Sequence, residues 1–223
     1  MSYDFEEFEK HGYSELEVEA LQEISNIGVG HSATALSQLL HRRVDMSVPL
    51  VELVKNENLA EKLVGASDSI VSSVLVQTAD TNDKEKTLNF LIVFNEKSTR
   101  NIINILRNSN SPDDLRDLDE IALSIVKETG NILLLHTITA INTFTGSTWF
   151  PNVPELKIDM IGSITEEIIS TNSIKNGMFL LVECDVFSDE ENLKGVILII
   201  PNDSGMKVIL EKIYGEDLES YGE

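Results

Sequence analysis

Apolar residues recur along this chain with a helical period in two long stretches and as short dense runs elsewhere. From Ser14 to about Leu40 the period is helical. With Glu23 as origin and about 100° per residue, Val18, Leu21, Ile24, Gly28, Ala35, Leu36 and Leu39 fall on the far side. Glu19, Glu23 and Asn26 fall within about 60° of one another on the near side. Ser14-Glu15-Leu16-Glu17 has the serine and glutamate of a capping box, so the helix is expected to open there. A second long helix is expected from about Asp117 to Thr143, with an apolar wall of Leu123, Val126, Leu133, Leu134, Ala140 and Ile141.

The short runs read as strands. In the first half they are Val44–Leu53, Ile70–Ala79 and Leu88–Phe94. The last two are joined by the turn-forming segment Asp80-Thr81-Asn82-Asp83-Lys84. A shorter helix follows from Asn95 to about Leu106, and Asn108–Pro112 is a polar break. The second half repeats this order, with strands at about Leu156–Ile161, Met178–Phe187 and Leu193–Ile200 and a helix from about Asn202 to Tyr214.

The order repeats because the sequence repeats. Glu23-Ile24-Ser25-Asn26 is followed by Pro49, and Glu128-Thr129-Gly130-Asn131 by Pro154, at an offset of 105 positions. Residues 19–49 align with 124–154 without gaps and share eight identities: the Glu, Asn and Pro pairs, Ile27/Ile132, His31/His136, Thr34/Thr139, Ala35/Ala140 and Val48/Val153. Chance gives roughly two over such a window. The strand Leu88–Phe94 maps onto Leu193–Ile200 at nearly the same offset. The expected fold is therefore α/β (of the α+β kind). It is one domain over 1–223 made of two repeats, about 14–112 and 113–216. Each repeat is a long helix, about three strands and a shorter helix, and the halves share one sheet about a pseudo-two-fold axis.

Charge narrows the partners. Seventeen basic residues face 38 acidic ones, for a net charge of −21. Nucleic acid and anionic membranes would repel such a chain. No apolar run approaches the ~18–20 residues of a membrane span, so no membrane insertion is expected. The first residues show neither a basic segment nor an apolar core of the secretory kind. One cysteine, Cys184, allows no internal disulfide and no cysteine-based zinc site, and in its apolar strand it reads as a small core residue. A cytoplasmic setting is the expectation.

The candidate chemistry lies in the repeated acid–amide couples, Glu23 with Asn26 and Glu128 with Asn131. Residues three apart sit on adjacent turns of one helix face. A carboxamide is no base, but its carbonyl accepts and its NH₂ donates, so it can hold and orient a water. A glutamate can pair with a cation or act as a base. Neither copy holds a serine–histidine–acid set, a phosphate-binding loop or metal-ligand spacing. A site this sparse needs a partner to bring the rest. Ile27, Ile132 and Leu135 lie beside the glutamates around the helix. There they either complete the core or form an apolar rim for that partner.

The pattern Asp/Ser-x3-Glu-x2-Asn-x22-Pro, present twice, resembles the CheC family of chemotaxis phosphatases, relatives of CheX and of the phosphatase domain of FliY. Ser124, Glu128, Asn131 and Pro154 match it throughout. Glu23, Asn26 and Pro49 match it too, but Glu19 stands where the family has Asp or Ser. The resemblance implies a phosphatase that speeds hydrolysis of the aspartyl phosphate on the response regulator CheY. It implies catalytic roles for Glu23, Asn26, Glu128 and Asn131, with Glu19, Ser124, Pro49 and Pro154 in support. The asparagines would hold the attacking water in line, and the glutamates would pair with a lysine of the regulator. The resemblance implies no cofactor of the protein's own, the Mg²⁺ being carried by the phosphorylated regulator. It also implies CheD as a possible second partner. The rival reading is a non-catalytic adaptor that binds CheD, a regulator or a flagellar switch component without turnover.

Other features carry less. Gly28-Val29-Gly30-His31-Ser32-Ala33 matches a dinucleotide fingerprint, but the fingerprint needs a strand before it and a helix is expected instead. Close helix packing is the expected role of those glycines. His31 and His136 each sit about 80° round the helix from their glutamate, with no second ligand one turn on. Pro49 and Pro154 are expected to shape a strand start or a sheet edge. Trp149, beside Phe150 and Pro151, is expected to pack rather than to form a ligand platform.

Overall fold

Ser14 caps the first long helix as its sequence predicts. Its Oγ accepts from the Glu17 N–H at 3.3 Å, and a Glu17 carboxylate oxygen accepts from the Ser14 N–H at 2.7 Å. The computed structural model describes residues 5–10, 13–47, 50–64, 66–81, 83–108, 112, 114–171, 178–183, 186–187 and 193–214. In the first half these form α1 (Phe5–Lys10), α2 (Glu15–Leu40), β1 (Asp45–Met46), β2 (Leu50–Lys55), α3 (Leu59–Val64), β3 (Ile70–Val76), β4 (Thr78–Asp80), β5 (Leu88–Asn95) and α4 (Glu96–Arg107). In the second they form α5 (Glu120–Thr145), β6 (Trp149–Pro151), β7 (Glu155–Met160), α6 (Ile161–Thr171), β8 (Met178–Glu183), β9 (Val186–Phe187), β10 (Gly195–Pro201) and α7 (Asp203–Tyr214).

The central sheet is antiparallel, in the order β10-β5-β3-β7, and so takes two strands from each half. The strand pairs β2–β8, β1–β9 and β4–β6 complete the β structure. β8 also contacts β10. The strands therefore follow one another in space as β2-β8-β10-β5-β3-β7, which reads the same from either end once halves are exchanged. The register locates the symmetry axis. Ile92 pairs with Ile197, its own equivalent at the repeat offset. At the helices, Ser32 Oγ lies 2.7 Å from Thr137 Oγ1, again its own equivalent. The two long helices also end alike, on left-handed residues at matched positions, His41 (φ 52°) and Gly146 (φ 63°).

Side chains fill both faces of the central sheet. Phe90, Ile92, Phe94, Val74, Ile197 and Ile199 point to the face covered by α2 and α5. Leu91, Val93, Val71, Val196 and Leu198 point to the other, covered by α3 and α6. Each such fully buried aliphatic or aromatic side chain contributes about 1.5–3 kcal/mol of transfer free energy.

Three expectations need correction. The run Val44–Leu53 is two strands, β1 and β2, which pair with different partners, β9 and β8. The run Ile70–Ala79 likewise breaks at Gln77 into β3 and β4, and β4 turns to β6. The helices α3 and α6 were not expected, and they occupy overlapping positions in the repeat. The single-cysteine reading falls on Cys184, outside the described residues.

Candidate functional site

Burial alternates so that each couple faces out while the two residues between its members face in. On α2, Ile24 and Ser25 are fully buried, and the Ser25 hydroxyl donates to the Leu21 carbonyl. Glu19, Glu23 and Asn26 are exposed. Asn26 Oδ1 accepts from Gln22 Nε2 at 3.4 Å, one turn back on the same helix. On α5, Thr129 and Gly130 are buried, Ser124 and Glu128 are exposed, and Asn131 is half-buried. The Thr129 hydroxyl donates to the Ile125 carbonyl at 2.8 Å. A methyl at Gly130 would stand 2.6 Å from Val74 Cγ2, so the helix backbone at the couple lies directly on β3. The spacing of three leaves two inward positions that seat the helix and sets the polar pair on a rigid outer face.

The helices cross at the symmetry axis with opposite sense. Gly28 meets Thr137, and Ser32 Oγ donates to the Leu133 carbonyl at 2.9 Å. A methyl on Gly28 would come 2.6 Å from Thr137 Cγ2, so only glycine admits this approach without movement. Asn26 and Glu23 precede Ser32 by six and nine residues, which is about 9 and 14 Å along the axis. The second couple stands equally far along the other arm. The molecule thus presents two separate outer faces, each with one carboxylate and one carboxamide.

The remaining sequence candidates are placed as follows. Pro154 is half-exposed between β6 and β7, where Asn152 N–H donates to the Gln77 carbonyl at 2.9 Å. Pro49 lies outside the described residues. His31 and His136 are exposed. Among the described residues no three His, Cys, Asp or Glu side chains converge as a metal site would require. The segment Gly28–Ala33 lies wholly inside α2, so no strand precedes the glycines and the dinucleotide fingerprint does not apply. The two glycines also differ. Gly28 is the packing residue, while a methyl at Gly30 would meet nothing within 4 Å. Trp149 is buried, as expected of a packing residue, while its neighbour Phe150 is 67% exposed. By length and composition α5 could cross a bilayer; here it packs against both α2 and the sheet.

One residue of the α5 face was missed. Ile121 is 60% exposed and lies seven residues before Glu128, about 20° from it around the helix. The two-turn spacing was visible in sequence, but only the structure shows the side chain open to solvent. Ile27, Ile132 and Leu135 are half-buried at the helix edges.

The arrangement can orient a small molecule such as water through the carboxamide and bind a cation through the carboxylate. Both groups are available to a macromolecule that docks across the helix.

Comparison with known proteins gives a consistent picture. Residues 17–53 match the model of the CheC-like family. The chain is 31% identical over 198 residues to the CheY-P phosphatase CheC of Bacillus subtilis (strain 168), covering 86% of this chain and 90% of that protein. Among solved structures it is similar to FliY of Thermotoga maritima, with a TM-score of 0.67 and 21% identity over 90% of this chain and 97% of that one. It is also similar to a chain of the CheX–CheY–BeF3–Mg complex from Borrelia burgdorferi, with a TM-score of 0.53 and 13% identity over 79% of this chain and 96% of that one.

Proposed function

The chain belongs to the CheC-like family, and we propose that it is a CheY-P phosphatase whose Asn26 and Asn131 each orient the water that hydrolyses the regulator's aspartyl phosphate. The observation that carries this reading is the outward-facing pair of Glu–Asn couples, one on each long helix, with Glu23, Asn26 and Glu128 exposed and Asn131 half-buried, on backbone seated against the core. The regulator brings the phosphoryl group, its Mg²⁺ and a lysine. The phosphatase helix lies across that centre. Glu23 or Glu128 pairs with the lysine and sets the register. The asparagine amide accepts from and donates to the water and holds it in line with phosphorus. The water oxygen bonds to phosphorus as the bond to the aspartyl oxygen breaks, releasing inorganic phosphate and the free carboxylate. Positioning is the main service a protein can offer this reaction, because its transition state is loose and makes little demand for covalent help. The likeness to the B. subtilis phosphatase and to the CheX–CheY complex supports a CheY-like partner. CheD is a second proposed partner, and the reaction belongs in the cytoplasm with its regulator.

The test is phosphate release from phosphorylated CheY. The protein accelerates it, and Asn26→Ala/Asn131→Ala abolishes the acceleration while binding to the regulator persists. An unchanged phosphoregulator lifetime with the native protein would leave a non-catalytic adaptor. Full acceleration by the double variant would remove the asparagines from the mechanism.

A further inference from the structure

The two faces carry the same couple but different surroundings. Around Glu128, Ile121, Ile132 and Leu135 lie about 20°, 40° and 20° away on the helix, flanking the carboxylate on both sides. Ile121 is 60% exposed, and the other two are half-buried. The equivalent positions around Glu23 are Leu16, Ile27 and Gly30. Leu16 and Ile27 are half-buried, and Gly30 is exposed with open space where a side chain would stand. The apolar flank of the α5 face is thus broken on α2. In exchange α2 carries an exposed Glu19 where α5 has the uncharged Ser124, so a second carboxylate stands one turn from Glu23.

Resting on the reading of both faces as regulator-docking sites, we propose that they hold the same phosphorylated regulator by different forces. The α5 face grips by apolar burial through Ile121, Ile132 and Leu135. The α2 face grips by charge through Glu19 beside Glu23. The carboxylates complement the regulator's lysine. Apolar burial is nearly indifferent to moderate salt. Exposed charge is screened, with a Debye length of ~8 Å at 0.15 M and ~3 Å at 1 M. Ile121, Leu135 and Glu19 are therefore specificity residues, which set how tightly each face docks rather than how fast the bound phosphate is hydrolysed.

The experiment isolates each face by charge reversal at the other. Glu23→Lys leaves the α5 face, and Glu128→Lys leaves the α2 face. Binding to beryllofluoride-loaded regulator and the KM and kcat for phosphorylated regulator are measured from 0.05 to 0.5 M NaCl. With only the α5 face, which keeps the single carboxylate of Glu128 beside its apolar flank, Kd and KM rise ~2-fold or less; with only the α2 face, which carries two carboxylates and a broken apolar flank, both rise ~5-fold or more as charge is screened. Ile121→Ala, in the background with the α5 face alone, raises KM at unchanged kcat. Gly30→Leu/Glu19→Ser, in the background with the α2 face alone, lowers KM at high salt and flattens its salt dependence. Equal salt dependence for the two faces, or no effect of the Gly30/Glu19 exchange on binding, overturns the proposal. Binding with the expected salt contrast but no turnover would instead refute the phosphatase reading and leave the docking chemistry standing.

Discussion

Two glycines of α2, two residues apart, are predicted to respond to the same substitution with opposite sign. Gly28→Ala places a methyl 2.6 Å from Thr137 Cγ2, where carbon atoms prefer about 3.5–4.0 Å. Either the helices part by about 1 Å or Thr137 leaves its rotamer. The rotamer is pinned, because the fully buried Thr137 hydroxyl donates to the Leu133 carbonyl at 3.1 Å and lies 2.7 Å from Ser32 Oγ. Overpacking of this kind costs about 1–3 kcal/mol, and better helix propensity returns about 1 kcal/mol. Gly28→Ala is therefore expected to destabilise by about 0–2 kcal/mol. Gly30→Ala meets no neighbour and is expected to stabilise by about 1 kcal/mol. Urea titration gives both values, and a melting curve should separate the two variants by several degrees, at roughly 2–4 °C per kcal/mol for a chain of this size. Thr137→Ser removes the offending methyl and keeps the hydroxyl, so Gly28→Ala/Thr137→Ser should recover most of the loss through a positive coupling. Equal stability of the two alanine variants, or no rescue by Thr137→Ser, would refute the account of the crossing.

Three further outcomes follow from particular contacts. Gly130→Ala drives a methyl to 2.6 Å and 2.7 Å from Val74 and should cost about 1–3 kcal/mol in a denaturant titration, beyond any propensity gain. Ser14→Ala removes the cap of α2 and should cost about 1 kcal/mol by the same measure. Asp119 caps α5: the Ala122 N–H at 2.9 Å, then the Arg107 guanidinium at 2.8 Å, hold its carboxyl below the usual range. A depressed carboxylate stabilises the fold above its unfolded pKa and loses that contribution as pH falls through the folded one. Asp119→Ala should therefore lower the melting temperature at pH 7, and the gap to the native protein should close as acid protonates the native carboxyl. A gap independent of pH would show that the charge contributes nothing.

The parts of this architecture that can be read in sequence are those set by local chemistry. The capping box at Ser14, the helical period through Leu40 and the Asn95 cap of α4 each act over a few residues, and each appears at its expected place. The run Leu88–Phe94 of β5, apolar but for Asn89, is similarly plain, because both its faces are buried. What sequence hides is pairing. Nothing local tells β1 to join β9 while β2 joins β8, so a continuous run was expected where the chain changes partner. α3 has too few turns for its period to show. α6 is rich in isoleucine and threonine and opens with glycine in its second position, a composition that suits a strand as well as a helix. At the site, the outward setting of Glu23, Asn26 and Glu128 follows from helix geometry alone. The contrast between Ile121 and Leu16 does not, because both are aliphatic and only their exposure differs.

The pairing of Ile92 with Ile197 makes the seam of the sheet a strand meeting its own duplicate. Such a contact is isologous, the kind by which identical subunits join. A half-length forebear could close the same ladder by finding a twin in solution, at a rate and extent limited by its concentration. Covalent fusion makes that encounter intramolecular, at an effective concentration on the order of millimolar. Once joined, neither half needs to stay identical to the other, so one helix can keep a bare glycine where its sibling carries leucine.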